Sequence, residues 1–317
     1  MISVVIPLYN KERHIARAIR SVLSQTWGDF ELVVVDDGST DGGAEIVDAM
    51  ADQRIRLVRQ ANAGASAARN RGIAVARAEM VAFLDADDEW LPEHLETIER
   101  LADKYPGCGA YAAAYAVVAP DGKRWNHVTQ GIPAPPWEGM IPNYFRSAAS
   151  FPVWTSAVAV PKRVFDIVGL FPVGVEIGED LDMWCRIALR YPICFNSQVS
   201  AVYHKEAENR ACMLSRQLNE HSVVRVVRRA LRTGLIPPEL QQDAYEFIAS
   251  NQIVVAGRNI LDGDPRHARL LLRSCRGTRR HAHAWRRLML QTMLPPGWPA
   301  RLKAARDAMR NLAGCRE

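Results

Sequence analysis

The sequence predicts an α/β fold: an open, mostly parallel sheet flanked by helices, followed by a helical C-terminal region. Three observations predict it. Short runs rich in Val and Ile alternate with helical spacings over the first hundred residues. Polar clusters fall directly after those runs, and strand patterns fade beyond about residue 210. Alternating strands and helices form sheets covered on both faces, which makes their strands continuously apolar.

Ser3–Ile6, Leu32–Val35, Ile55–Val58 and Val81–Leu84 are the predicted buried strands. Between the first two, Ile15, Ala18, Ile19, Val22 and Leu23 recur at helical spacing. Ala44–Met50 and Ala65–Ala76 also read as helices. Residues 108–118 and Pro152–Val160 read as strands, the proline-rich stretch 131–142 as a surface loop, and Asp180–Leu189 as a helix. In the tail, helices are expected near 212–233, 238–261, 265–275, 281–293 and 299–313, broken by Pro237–Pro238, Gly263–Asp264–Pro265 and Pro295–Pro296–Gly297. The expected division is a first domain over 1–210, with halves 1–105 and 106–210, and a basic helical region over 211–317.

Of 317 residues, 48% are hydrophobic and 24% charged, enough apolar matter for a real core. The six cysteines form no C-x-x-C pair, so neither a zinc site nor a disulfide framework is expected, and a reducing, cytoplasmic setting fits. No run approaches the roughly 18 apolar residues of a spanning helix. The apolar start Ile2–Ile6 is too short for a signal peptide. The net charge of +5 hides an asymmetry. Residues 216–317 carry 19 basic and 8 acidic groups, a net of +11, whereas the rest carries 21 and 27, a net of −6.

Ligands of open α/β sheets gather at the carboxyl ends of the strands. Three polar clusters stand there: Pro7–Leu8–Tyr9–Asn10–Lys11–Glu12, Asp36–Asp37–Gly38–Ser39, and Asp85–Ala86–Asp87–Asp88. Three crowded carboxylates repel one another, and a divalent cation relieves that cost; hard oxygen donors suit Mg²⁺ or Mn²⁺. Taken alone, each cluster has a plainer reading. Asp88 could cap a helix starting near Pro92, Asp36–Ser39 could be an ordinary turn, and Tyr9 a core aromatic. Arg69 follows a small-residue turn at a helix start, which suits a phosphate, or is an exposed helix arginine. Glu179–Asp180 could supply a general base or cap its helix.

Taken together, the clusters resemble the family 2 glycosyltransferases, inverting enzymes of GT-A fold. The resemblance rests on Ser3–Asn10, Glu31–Gly42, Ala68–Ile73, Phe83–Asp88, Val168–Phe171 and Gly178–Asp180, in that order, over about residues 1–205. It implies a nucleotide-binding sheet whose donor pocket is lined by Pro7, Leu8, Tyr9, Glu12, Asp37, Asn62, Arg69, Asp85, Ala86 and Asp87. Asp87 would be the direct ligand of Mn²⁺ or Mg²⁺, Asp85 its helper toward the ribose, and His204 a further ligand. Asp180 would be the base, with Glu179, Trp154 and Trp184 on the acceptor side. The implied partners are a nucleotide-sugar donor, with UDP the usual nucleotide, and a glycan or lipid-linked acceptor in bacterial surface polysaccharide synthesis.

The tail lies outside the clearest resemblance. Arg225, Arg228, Arg229 and Arg232 recur at helical spacing, and Arg279, Arg280, Arg286 and Arg287 surround Trp285. This pattern suits an anionic membrane surface on the inner face of the cell membrane, a solvated face, or an oligomer contact. Nucleic acid is not expected, since no nucleic-acid motif is present. Two other functions compete: a non-catalytic nucleotide-sugar-binding or assembly protein, and a nucleotidyltransferase. The second lacks a glycine-rich phosphate loop after the first strand, where Pro7–Asn10 stands instead.

Overall fold

The computed structural model describes residues 1–175, 177–207, 219–295 and 298. The chain divides into two compact units, Met1–Met213 and Leu214–Glu317.

The first unit is built on a ten-stranded mixed sheet. Strands β1 (Ile2–Leu8), β2 (Phe30–Asp36), β3 (Ile55–Arg59) and β4 (Met80–Phe83) are mutually parallel in the order β3-β2-β1-β4. The connecting helices are α1 (Glu12–Leu23), α2 (Gly43–Asp48) and α3 (Ala65–Val75). Beyond β4 come β9 (Val158–Pro161), β6 (Ala110–Val118), β10 (Ile193–His204) and β5 (Glu89–Trp90). Strand β9 runs antiparallel to both β4 and β6, whereas β6 and β10 are parallel. Two short strands, β7 (Arg124–Asn126) on β6 and β8 (Glu138–Met140) on β10, complete the sheet. Helices α4 (His94–Lys104), α5 (Tyr144–Ala148), α6 (Lys162–Val168) and α7 (Glu179–Ala188) flank it.

Several expectations change. Pro152–Val160 is not one strand: Thr155–Ala157 forms a 3-10 turn before β9. The proline-rich loop contains β8. The longest strand, β10, has no counterpart among the expected elements, because Asn196–Ser197–Gln198 interrupts its apolar run and bulges shift its register there. Asp88 is not a helix cap; helix α4 begins at His94, and Asp88 is buried.

Separate apolar clusters cover the two faces of the sheet. Ile15, Ile19 and Val22 of α1 pack on Val4, Ile6 and Leu32. On the other face, Phe83, Phe165, Phe171 and Trp184 meet edge-on or tilted, at 5.4–6.4 Å between ring centroids. Gly72 lets α3 lie directly on β1: a Cβ there would sit 2.3 Å from Val5 Cγ1. Gly72→Ala is therefore expected to destabilise the protein by about 1–3 kcal/mol through overpacking, read as a lower urea midpoint at unchanged slope.

The second unit contains α8 (Ser222–Arg232), α9 (Pro238–Leu261), α10 (Pro265–Ser274) and α11 (Ala282–Gln291). Asp264 caps α10 by accepting from the His267 amide, with Pro265 at its first turn. Helices α9, α10 and α11 share a core of Val255, Ala256, Leu271, Leu272 and Leu288. The helix expected at 299–313, like Cys212 and Cys315, lies outside the described residues; the other four cysteines are free and buried. No helix among the described residues is long and apolar enough to cross a membrane.

Candidate active site

The order β2-β1-β4 brings the three polar clusters to one edge of the sheet. The loops after β1 and β2 are laced together. Asn10, at a φ of 51°, accepts from the Thr40 amide at 2.8 Å, and its own amide donates to Ser39 Oγ. The Glu12 amide donates to Asp41 Oδ2, and Glu12 Oε2 accepts from the Gly42 amide.

Asp37 is only 3% exposed, and both its oxygens are engaged. It accepts from Gln60 Nε2 and the Ala63 amide on one oxygen and from the Gly64 amide on the other, at 2.8–2.9 Å. Asp37 thus fixes the 62–64 turn, and Glu12 likewise braces loops. The side chains of Leu8 and Ala86, two of the expected donor-pocket residues, are buried. Pro7 is half-buried, while Tyr9 and Asn62 are exposed at the edge.

Asp85, Asp87 and Asp88 follow β4. Asp85 Oδ1 pairs with Arg69 Nη2 at 2.8 Å, and Asp87 Oδ2 pairs with Lys11 Nζ at 2.8 Å. Arg17 Nη2 donates to the Asp87 carbonyl at 2.7 Å. Asp88 is 1% exposed and accepts from Ser156 Oγ at 2.6 Å and from the His204 amide. Burial first, then the charges of Asp87 and Asp85, push the Asp88 carboxyl well above the carboxylate range. Ser156 also accepts from the Asp85 amide, so the 3-10 turn before β9 sets the geometry of the acidic loop.

His204 does not join Asp85 and Asp87. Its Nε2 lies 3.0 Å from Glu89 Oε2, an interaction that lowers the Glu89 pKa. Among the described residues, no three His, Cys, Asp or Glu side chains form a ready metal cage. The donor set that remains, two carboxylates on one loop, fits a hard cation held jointly with a diphosphate, the usual arrangement for Mg²⁺ and Mn²⁺ at nucleotide sites.

Glu179 and Asp180 open α7 directly after Gly178, whose φ of 83° turns the chain into the helix. A helix N-terminus favours a carboxylate, and the Leu181 amide donates to Asp180 Oδ1 at 2.7 Å. Burial outweighs both, helped by the Glu179 charge, and lifts the Asp180 pKa to about 7. Arg69 links this pair to the acidic loop. Only 5% exposed, it donates from Nη1 to Glu179 and from Nη2 to Asp85, with Phe171 under its guanidinium at 5.5 Å. These charges raise its pKa further, despite burial.

The two tryptophans expected on the acceptor side part company. Trp184 is fully buried in the sheet core and presents no face to an acceptor, which corrects that expectation. Trp154 is half-buried, 4.5 Å from the Tyr115 ring and 5.1 Å from the Tyr203 ring. Burial raises the Tyr115 pKa, and Tyr203 and then the charges of Asp180 and Asp88 add to the rise. Sequence reasoning missed Tyr115, Tyr203, Ser156 and the cationic roles of Lys11 and Arg17. Only Lys11 had a signal, its place inside the first strand-end motif.

Residues 3–159 match the profile described as Glycosyl transferase family 2. An uncharacterized glycosyltransferase, YibD of Escherichia coli K12, is 48% identical over 103 residues, 32% of this chain and 30% of its own length. An uncharacterized glycosyltransferase of Rickettsia felis is 32% identical over 199 residues, 61% of this chain and 31% of its own. The chain thus spans about a third of the length of the curated relatives it matches. In fold it is similar to Staphylococcus aureus TarS 1-349 in complex with UDP-GlcNAc, with a TM-score of 0.63 at 20% identity, covering 92% of this chain and 80% of that one. The ordered strand-end motifs and the matched profile agree: this chain belongs to the family 2 glycosyltransferases.

Proposed function

We propose that the chain is an inverting transferase that moves a sugar from a nucleoside diphosphate, UDP in the first instance, to a hydroxyl of a glycan or lipid-linked acceptor in surface polysaccharide synthesis. One observation carries this reading: a carboxyl poised near pH 7, Asp180, at a helix start that Arg69 ties to the acidic loop. A base of that pKa takes a proton from an attacking hydroxyl at neutral pH. The acceptor oxygen bonds to the anomeric carbon as the bond to the diphosphate oxygen breaks. The acceptor proton passes to Asp180, and the nucleoside diphosphate leaves. Attack from the opposite face inverts the anomeric centre. Asp87 and Asp85 would hold a divalent cation, which when bound neutralises charge on the leaving diphosphate. The UDP-GlcNAc bound to TarS supports a UDP-sugar as the first donor to test.

A thermal-shift screen of nucleotide sugars with Mn²⁺, followed by assays of nucleoside diphosphate release with acceptors, tests the reading. Acceptor-dependent release is the expected result. Donor binding without release by any acceptor would favour the non-catalytic alternative.

The second unit supports a membrane partner. Leu270, Leu290, Met293 and Trp298 are 51–66% exposed, and Arg266, Arg273, Arg286 and Arg287 are exposed beside them in sequence. Arg269 of α10 donates to the Thr292 carbonyl at 2.8 Å, which draws the end of α11 against the middle of α10. Apolar side chains among arginines suit an anionic lipid surface better than nucleic acid, for which arginines alone suffice. The full chain is expected to float with phosphatidylglycerol vesicles and not with phosphatidylcholine. Leu270→Glu with Leu290→Glu should cut that binding at least about tenfold, given the cost of burying charge. Equal flotation of both proteins would rule this surface out.

A further inference from the structure

The direct ligand expected for the cation, Asp87, is already occupied by a cation of the protein's own. Lys11 Nζ lies 2.8 Å from Asp87 Oδ2, with the two side chains only 14% and 12% exposed. The Lys11 backbone is fixed: it precedes α1, and its carbonyl accepts from the His14 and Ile15 amides. The side chain is a flexible four-carbon stem that can swing without disturbing the helix. Asp85 is neutralised in the same way by Arg69, but that guanidinium is locked between two carboxylates over an aromatic ring. Of the two cations, Lys11 is the one carried on a flexible stem, whereas Arg69 is held rigidly between two carboxylates.

An ammonium and a divalent ion cannot share one carboxylate oxygen at contact distance without strong mutual repulsion. Cation binding at Asp87 Oδ2 therefore requires Lys11 to leave, a cation at Oδ1 would still be repelled by the ammonium across the carboxylate, and an ammonium leaving a nearly buried pair needs another anion close by. A diphosphate bound beside the acidic loop supplies one, and lysine binds phosphate as a point charge. Arg17 on the following helix also donates to the Asp87 carbonyl, so the lysine does not abandon an unsupported loop.

We propose that Lys11 is a tethered cation that holds Asp87 closed and is drawn off by the donor's diphosphate, so that the divalent ion binds with or after the nucleotide rather than before it. The inference rests on the metal-dependent reading above and assigns a residue that sets the order of binding.

Titration of the full chain with Mn²⁺ alone, followed by the paramagnetic resonance signal of the free ion, tests it. Lys11→Met is expected to bind Mn²⁺ alone about tenfold more tightly than the parent, because the competing cation is gone. Lys11→Arg should bind it no more tightly than the parent. Equilibrium dialysis of labelled UDP supplies the second readout: Mn²⁺ should tighten UDP binding at least about tenfold in the parent, and UDP without metal should bind Lys11→Met more weakly. Far-ultraviolet dichroism confirms that the variants are folded. Mn²⁺ affinity that is unchanged or lower in Lys11→Met overturns the proposal while leaving metal dependence intact. If Mn²⁺ affects UDP binding in neither protein, the metal reading itself fails and the proposal falls with it.

Discussion

Asp180→Asn is expected to lower kcat/KM for sugar transfer by about 10²- to 10⁴-fold, the range typical of a lost general base, while UDP-sugar affinity changes little. The parent's kcat/KM should rise about tenfold per pH unit below about pH 7 and level off above it, because Asp180 must be ionised to accept the proton. In Asp180→Asn that limb should vanish. Stability should move the opposite way. The folded-state pKa is raised, so the favourable contribution of the protonated carboxyl is complete below the unfolded value near 4 and is lost as pH rises through about 7. The asparagine variant should therefore be more stable than the parent at pH 8, by on the order of 1 kcal/mol or more, and nearly equal to it at pH 4. Urea titrations at the two pH values check this. An undiminished transfer rate would remove Asp180 from the chemistry.

Arg69→Met should be the most damaging single change at the site. It strips the cation from Asp85 and Glu179 at once and leaves both beside Asp87, Asp88 and Asp180. Removing one partner of a largely buried ion pair costs about 3–5 kcal/mol, and the partial exposure of Asp85 argues for the lower end. Arg69→Lys keeps the charge but cannot span two carboxylates with one ammonium, so it should recover only part of the loss. A second effect separates this role from simple stability. Arg69 is among the charges that hold the Asp180 pKa down, so in a folded Arg69→Gln protein the acid limb of kcat/KM should move above pH 7. A limb that stays in place would show that Arg69 does not act on the base.

Much of this was legible in the sequence for a physical reason. Strands β1, β2 and β4 are buried on both faces, so they appear as plain Val- and Ile-rich runs, and the polar residues after them must emerge at one edge. The proposed base, Asp180, stands out because two carboxylates after a glycine at a helix start form a local pattern. Trp184, expected on the acceptor side, instead belongs to a buried helix face, since Leu181, Trp184 and Ile187 recur at that spacing. Ser156 and the Lys11–Asp87 pair depend on contacts 68 to 76 positions apart, and no local pattern announces those. Strand β10 was hidden by its own bulges, where three polar residues break an otherwise apolar run.

The place of β9 also has a consequence for how the chain is made. Phe83 of β4 pairs with Val158, 75 positions later, and β5, from the first hundred residues, pairs with β10 at the far edge. During synthesis the apolar edge Val81–Phe83 must wait for those later residues, roughly 4–15 s at ordinary translation rates. The first 105 residues, which look like a complete nucleotide-binding half, thus emerge with one flank open. A nascent chain stalled there presents an unpaired strand to its neighbours. Expression hosts with slow translation through residues 106–160 should yield more aggregate, and a fragment ending near residue 105 should be harder to keep in solution than the whole first unit.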